Sequence, residues 1–270
     1  MKSPPLLDIE NATVFRGTTR VFNALSLRVE QRQQVAIVGP NGAGKTTLLK
    51  LMNREIYPVA NANSRVQVLG RSDWNVWALR EQLGVVSDDL HMRYRRTTTG
   101  LNVVVSGFFS SIGTHGQLAR KVTGNKRSRA LQTMRELGIG DLADVSLERM
   151  STGQQRRCLL ARALVHEPST LILDEPTSGL DLAASFEYLE RIGRLIERGH
   201  SIVLVTHHLN EIPLEIDRIV LLNGGKIVAD GPKLDVLTEE NLEATYGVPL
   251  RVAVVDGHYL AYPRRSADAR

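Results

Sequence analysis

Nine consecutive residues constrain this chain more than any others: Gly39-Pro40-Asn41-Gly42-Ala43-Gly44-Lys45-Thr46-Thr47. Two glycines separated by four residues, then lysine and a hydroxyl residue, satisfy the spacing of a phosphate-binding loop. The loop follows the apolar run Val35-Ala36-Ile37-Val38 and opens a helical pattern from Lys45 to Met52. Such a strand–loop–helix context is what the motif requires. Glycines let backbone N–H groups turn inward around phosphate oxygens. The helix start adds a favourable dipole and further donors. Lys45 is placed to reach β- and γ-phosphates, and the Thr46 hydroxyl to ligate Mg²⁺. The bland alternative is a glycine-rich turn with no ligand, which would need neither the lysine nor the threonine.

Leu171-Ile172-Leu173 and Ser201-Ile202-Val203-Leu204-Val205 are short, continuously apolar runs like Val35 to Val38. They predict strands buried on both faces, hence a parallel sheet covered by helices. A helical pattern from Leu182 to Glu197 lies between two of them, giving an α/β architecture. Apolar residues alternate from Leu7 to Val29, which predicts an antiparallel β-layer ahead of the loop. The stretch from about Asp88 to Arg157 has amphipathic segments, such as Arg127 to Leu137, and reads as a mostly helical insertion. Beyond Tyr246, Arg251 to Val255 and His258 to Tyr262 flank Asp256-Gly257, a hairpin turn pair. Arg264 to Arg270 reads as a frayed tail. The expected organisation is one main domain over about 1–248, with the helical lobe inserted at about 88–157, and an extension over 249–270. No internal repeat is present.

Composition narrows the class. Hydrophobic residues make up 42% of the 270, enough for a packed core. No run approaches the ~18 apolar residues that span a bilayer, and the start Met-Lys-Ser-Pro-Pro has no hydrophobic run of leader length. A soluble chain is expected, with any membrane role exercised through a partner. Cys158, the one cysteine, lies in Cys158-Leu159-Leu160-Ala161 and reads as a buried structural residue. The net charge of +5 is concentrated at Arg93 to Arg96 and Arg120 to Arg129. A solvated face is the reading there, since no nucleic-acid module accompanies the clusters.

A second chemical motif is Leu171-Ile172-Leu173-Asp174-Glu175-Pro176. An apolar strand ending in two carboxylates sets both at the carboxyl edge of the sheet, where ligands bind in such folds. Asp174 is the candidate to hold Mg²⁺, through water, and Glu175 the candidate general base for an attacking water. Between the motifs lies Met150-Ser151-Thr152-Gly153-Gln154-Gln155, immediately before a helical pattern. With that element the chain resembles the ATP-binding cassette (ABC) proteins, whose signature sequence this is. The resemblance covers roughly Leu7 to Pro232. It implies a P-loop α/β core with an N-terminal antiparallel β-layer and a helical signature lobe, and ATP hydrolysis with Mg²⁺. It also implies a head-to-tail homodimer in which Ser151, Thr152, Gly153 and Gln154 of one copy reach the γ-phosphate held by the other.

Met150 and Thr152 stand where the family usually has leucine and glycine. Ser178-Gly179-Leu180-Asp181 resembles the loop coupling the two sites. Val205-Thr206-His207-His208 resembles the histidine switch, with His207 on the γ-phosphate and His208 flanking it; adjacent residues after a strand are expected to point apart. Phe15 sits where the family stacks an aromatic on adenine, the other reading being a core side chain. One element departs: Leu83-Gly84-Val85-Val86-Ser87 leads to Asp88-Asp89 instead of a glutamine, and Asp88 is the candidate oxygen donor to Mg²⁺. Similar cassettes related to molybdenum- and iron-type transport ATPases share that substitution. They also resemble this chain at Ser106-Gly107-Phe108-Phe109 and at Glu211-Ile212-Pro213. The implied role is the energising subunit of a transporter, an importer by the resemblance, with transmembrane permease partners. It would lie in the cytoplasm or on the cytoplasmic face of the inner membrane. The other reading is a stand-alone regulatory or nucleic-acid-associated ATPase.

Overall fold

The computed structural model describes residues 3–114 and 116–264, with backbone alone at Asp88. In chain order the strands are β1 (Leu7–Arg16), β2 (Thr19–Val29), β3 (Val35–Val38), β4 (Arg65–Val68), β5 (Leu83–Val86), β6 (Thr170–Asp174), β7 (Ser201–Thr206), β8 (Arg218–Asn223), β9 (Lys226–Pro232), β10 (Leu250–Val255) and β11 (His258–Pro263). The α-helices are α1 (Lys45–Met52), α2 (Val76–Gln82), α3 (Asp88–Met92), α4 (Gly100–Ser106), α5 (Gln117–Arg120), α6 (Gly124–Glu136), α7 (Thr152–Leu164), α8 (Leu182–Glu197), α9 (Lys233–Val236) and α10 (Glu239–Tyr246). The chain forms two compact units, one running to Val76 and resuming at Ser201, the other spanning Trp77–His200.

The first unit holds the expected antiparallel layer. β1 pairs with β2 on one side and β4 on the other. The β1–β2 ladder slips near Asn11 and Ala24, both at positive φ. Side chains accept from the N–H groups at those slips: Asn11 N donates to Ser26 Oγ (3.0 Å) and Ala24 N to Thr13 Oγ1 (3.2 Å). Buried Asp8 lies between Arg65 (3.0 Å) and Arg28 (3.7 Å), which supply the partners a buried carboxylate needs.

The same unit carries the parallel strands. β3 pairs in parallel with β7 and with β8, and β9 closes antiparallel on β8. Every residue of β3 and β7 is buried, as the unbroken apolar runs require. β10 and β11 form the expected hairpin, with Asp256 and Gly257 at φ 49° and 82° in its two-residue turn.

In the second unit β5 and β6 pair in parallel, and α7 packs against β5, α4, α6 and α8. Val103, Val104, Ala130, Met134, Leu159 and Leu160 form its core. The Ser106-Gly107 pair has a structural task there. Ser106 Oγ bonds the Tyr94 hydroxyl (2.7 Å), and that hydroxyl accepts from Nε of buried Arg162 (2.6 Å). A side chain at Gly107 would overlap the Arg162 carbonyl. Thus Tyr94, from the basic stretch, is buried in this network, whereas Arg93, Arg95, Arg96, Arg120 and Arg127 are exposed. Burial pushes the Cys158 thiol up to about 12, so it stays protonated and unreactive at neutral pH.

Candidate active site

The phosphate loop follows β3 in the first unit. A Cβ at Gly39 would overlap the carbonyl oxygen of Leu222 at the end of β8. No L side chain fits this approach, so Gly39→Ala should lower stability by about 1–3 kcal/mol, the range of overpacking. A fall of roughly 2–12 °C in the thermal midpoint is expected for a chain of this size. An unchanged midpoint would show that β8 yields at no cost. Gly42 and Gly44 take left-handed φ values of 82° and 109°, and the backbone turns through them into α1. Gly44, at the N-cap of α1, has no side chain with which to cap it, and the ladder begins with Leu48 N donating to Gly44 O (2.9 Å). An uncapped helix start lined by glycine suits an anion.

Lys45 is only 6% exposed. Its ammonium donates to the carbonyls of Gly39 (2.7 Å) and Pro40 (3.2 Å), which hold it across the loop. Thr46 is exposed and Thr47 buried. The loop is braced from behind: Ala43 N donates to Pro40 O (3.2 Å), and Gly225 N to Ala43 O (3.0 Å). Gly225, at φ 73°, has the Val21 carbonyl where a side chain would stand. Phe15, at the end of β1, is 46% exposed, which removes the core reading.

Beyond β7 comes the histidine pair. The Thr206 hydroxyl donates to Glu211 Oε2 (2.6 Å) and accepts from His208 N (3.1 Å). The expectation that His207 and His208 point apart is corrected. Their ring centroids lie 3.7 Å apart with planes tilted by 42°. The alternation of side chains belongs to strands, and β7 ends at Thr206, one residue too early to impose it.

The second unit carries the acids and the signature. Asp174 and Glu175 are half-buried at the end of β6. Glu175 has φ 48°, left-handed for a residue with a Cβ. Such positions cost on the order of 1 kcal/mol or more and cluster at functional sites. Ser151 N-caps α7 in a reciprocal capping box. Its Oγ accepts from Gln154 N (3.2 Å), and Gln154 Oε1 accepts from Ser151 N (2.9 Å). Accepting in this way leaves the Ser151 hydroxyl proton for another acceptor. Thr152 is exposed and Gly153 half-buried, with Ala184 Cβ 3.3 Å from where a Gly153 Cβ would sit. Asp181 caps α8 by accepting from Ala184 N (2.8 Å).

Ser87 caps α3, accepting from Leu90 N (3.3 Å), so Asp88 begins a helix. The Asp88 side chain lies outside the described residues. One link here has no local sequence signal: His91 Nε2 bonds Gln155 Oε1 (2.5 Å), while Gln155 Nε2 donates to Leu147 O (2.8 Å) and Met150 O (3.0 Å). The helix standing at the departed glutamine position is thereby joined to the signature.

Comparison with known proteins decides the family. Residues 22–178 match the ABC transporter family model. An uncharacterized ABC transporter ATP-binding protein, YlmA of Bacillus subtilis (strain 168), is 31% identical over 92% of this chain and 93% of its own. The chain belongs to the ABC transporter family. The hemin import ATP-binding protein HmuV of Rhodopseudomonas palustris (strain BisA53) is 31% identical over 93% of the chain and 91% of its own length. A solved ATP-binding cassette, dimeric in a post-hydrolysis state with ADP and Pi, shares the fold at TM-score 0.67 and 23% identity. The match covers 84% of this chain and 98% of the solved one. This ABC protein is thus an ATP-binding, ATP-hydrolysing subunit of a transporter, built on a P-loop α/β fold. Among the described residues no helix is long and apolar enough to cross a membrane.

Proposed function

We propose that the chain energises an importer from the cytoplasmic face of the inner membrane, as a head-to-tail pair of cassettes beneath permease subunits. The cassette would occupy about 1–248, with 249–270 as an extension. The observation that carries this reading is the uncapped start of α1, lined by glycine and crossed by the buried Lys45 ammonium. It offers the donors that a triphosphate needs. Phe15 stacks on the adenine, and Gly39 to Thr47 wrap the phosphates. The Ser151 to Gln154 signature of the partner copy closes over the γ-phosphate, with the Ser151 hydroxyl donating to it. Glu175 accepts a proton from the attacking water, and His207 orients that water against the γ-phosphate.

Mg²⁺ would be held by Thr46 and Asp174, with Asp88 as a further oxygen donor. The donor set fits a hard, oxygen-loving ion bound in part through phosphate. Phosphate oxygens of the nucleotide would complete the shell. When bound, Mg²⁺ would neutralise charge on the β- and γ-phosphates. Affinity purification of the full-length chain from detergent-solubilised membranes tests the assignment. A multi-span membrane protein in stoichiometric amount is expected. Recovery of the chain wholly from the membrane-free fraction, with no such partner, would overturn it.

A further inference from the structure

We propose that Tyr246 is a positioning residue for His207, so that the segment following β9 takes part in ATP hydrolysis. The proposal rests on the reading of His207 as the group facing the γ-phosphate. The Tyr246 phenol donates to the backbone carbonyl of His207 (3.0 Å), across 39 residues of sequence. β7 stops at Thr206, so no strand ladder sets the peptide plane after His207. The Thr206 hydroxyl, itself donating to Glu211, accepts from His208 N and so holds one edge of the peptide that follows His207. Tyr246 holds the other edge of that same peptide unit, at the His207 carbonyl, so the plane is fixed from both sides and the direction of the imidazole follows from it.

The phenol is itself held rigidly. Leu242 and Thr245 of α10 are wholly buried, and Thr238 caps the helix by accepting from Asn241 N (3.2 Å). Two glutamates of α10 clip the hairpin. Glu243 accepts from Leu250 N (3.1 Å) and Glu239 from Val252 N (3.4 Å), and Arg264 pairs with both, at 2.7 and 3.1 Å. β11 packs in turn on the Leu209–Glu211 turn. The histidine turn is therefore gripped at two points by the C-terminal segment: at the His207 carbonyl and just beyond it.

Tyr246→Phe in the full-length chain tests this, because it removes the hydroxyl and keeps the ring. Single-turnover hydrolysis of saturating MgATP should slow about threefold to tenfold, the span covered by one neutral hydrogen bond. ATP affinity should stay at the wild-type value, and the thermal midpoint should fall by no more than about 6 °C, the worth of one hydrogen bond in a chain of this size. In a His207→Ala background the same substitution should have no further effect, since its action passes through His207. An unchanged rate, or an equal slowing in both backgrounds, would each overturn the proposal. Wild-type hydrolysis by His207→Ala alone would be a different failure, that of the reading of His207.

Discussion

Glu175→Gln should lower ATP turnover by about two to four orders of magnitude, the usual share of a positioned general base, while leaving MgATP binding intact. Glutamine keeps the length and shape of the side chain, so the left-handed turn at residue 175 (φ 48°) meets no new strain. It loses only the ability to take a proton. Nucleotide phosphates bridging donors from two copies then persist uncleaved, and the substituted chain should sediment as a dimer in MgATP and as a monomer or loose pair without it. Adding Ser151→Arg should dissolve that dimer. The larger side chain forfeits the Ser151–Gln154 capping box, worth about 1 kcal/mol, and sets bulk against the shared phosphate. Turnover by stopped assay and mass by light scattering decide the matter. Wild-type turnover in Glu175→Gln would remove it as the base. A monomer in saturating MgATP would mean that permease subunits are needed to bring the cassettes together.

Lys45→Met should weaken ATP binding about tenfold to a hundredfold, the worth of one charge-assisted hydrogen bond, and bring hydrolysis below detection. Methionine matches much of the buried stem, so packing around α1 is kept and the ammonium alone is lost. Two effects oppose each other. The triphosphate loses its cation, while the carbonyls of Gly39 and Pro40 lose their donor and relax. The first dominates because transition-state charge gathers on the phosphates the cation faces. Isothermal titration and a turnover assay measure it, and wild-type values in both would withdraw the assignment of this loop.

What could be read without coordinates was governed by local chemistry. Val35 to Val38 announces a strand because every residue is apolar, and Gly39 to Thr46 announces its ligand because the spacing serves phosphate alone. Asp256-Gly257 announces a hairpin because both residues tolerate positive φ, and it forms there. Reading failed where a contact joins distant segments or where regular structure ends. His207 and His208 lie just past the end of β7, where the alternation of a strand no longer governs their rings. The His91–Gln155 and Tyr246–His207 bonds span 64 and 39 residues and follow no periodicity. Ser106-Gly107 was seen only as a likeness, and its cause, the buried Arg162, lies 55 residues or more away in the chain and bonds Tyr94.

The bracing of the phosphate loop has a genetic consequence. Gly225 belongs to the turn Asn223-Gly224-Gly225-Lys226, a place where surface variation is ordinarily harmless. Yet its N–H holds the Ala43 carbonyl, and the Val21 carbonyl fills the space of its missing side chain. Any inherited replacement must push either β2 or the nucleotide loop out of place. A screen for loss of transport will therefore recover alleles at this turn beside those at Lys45. They will mimic nucleotide-site lesions although residue 225 has no side chain with which to touch a ligand.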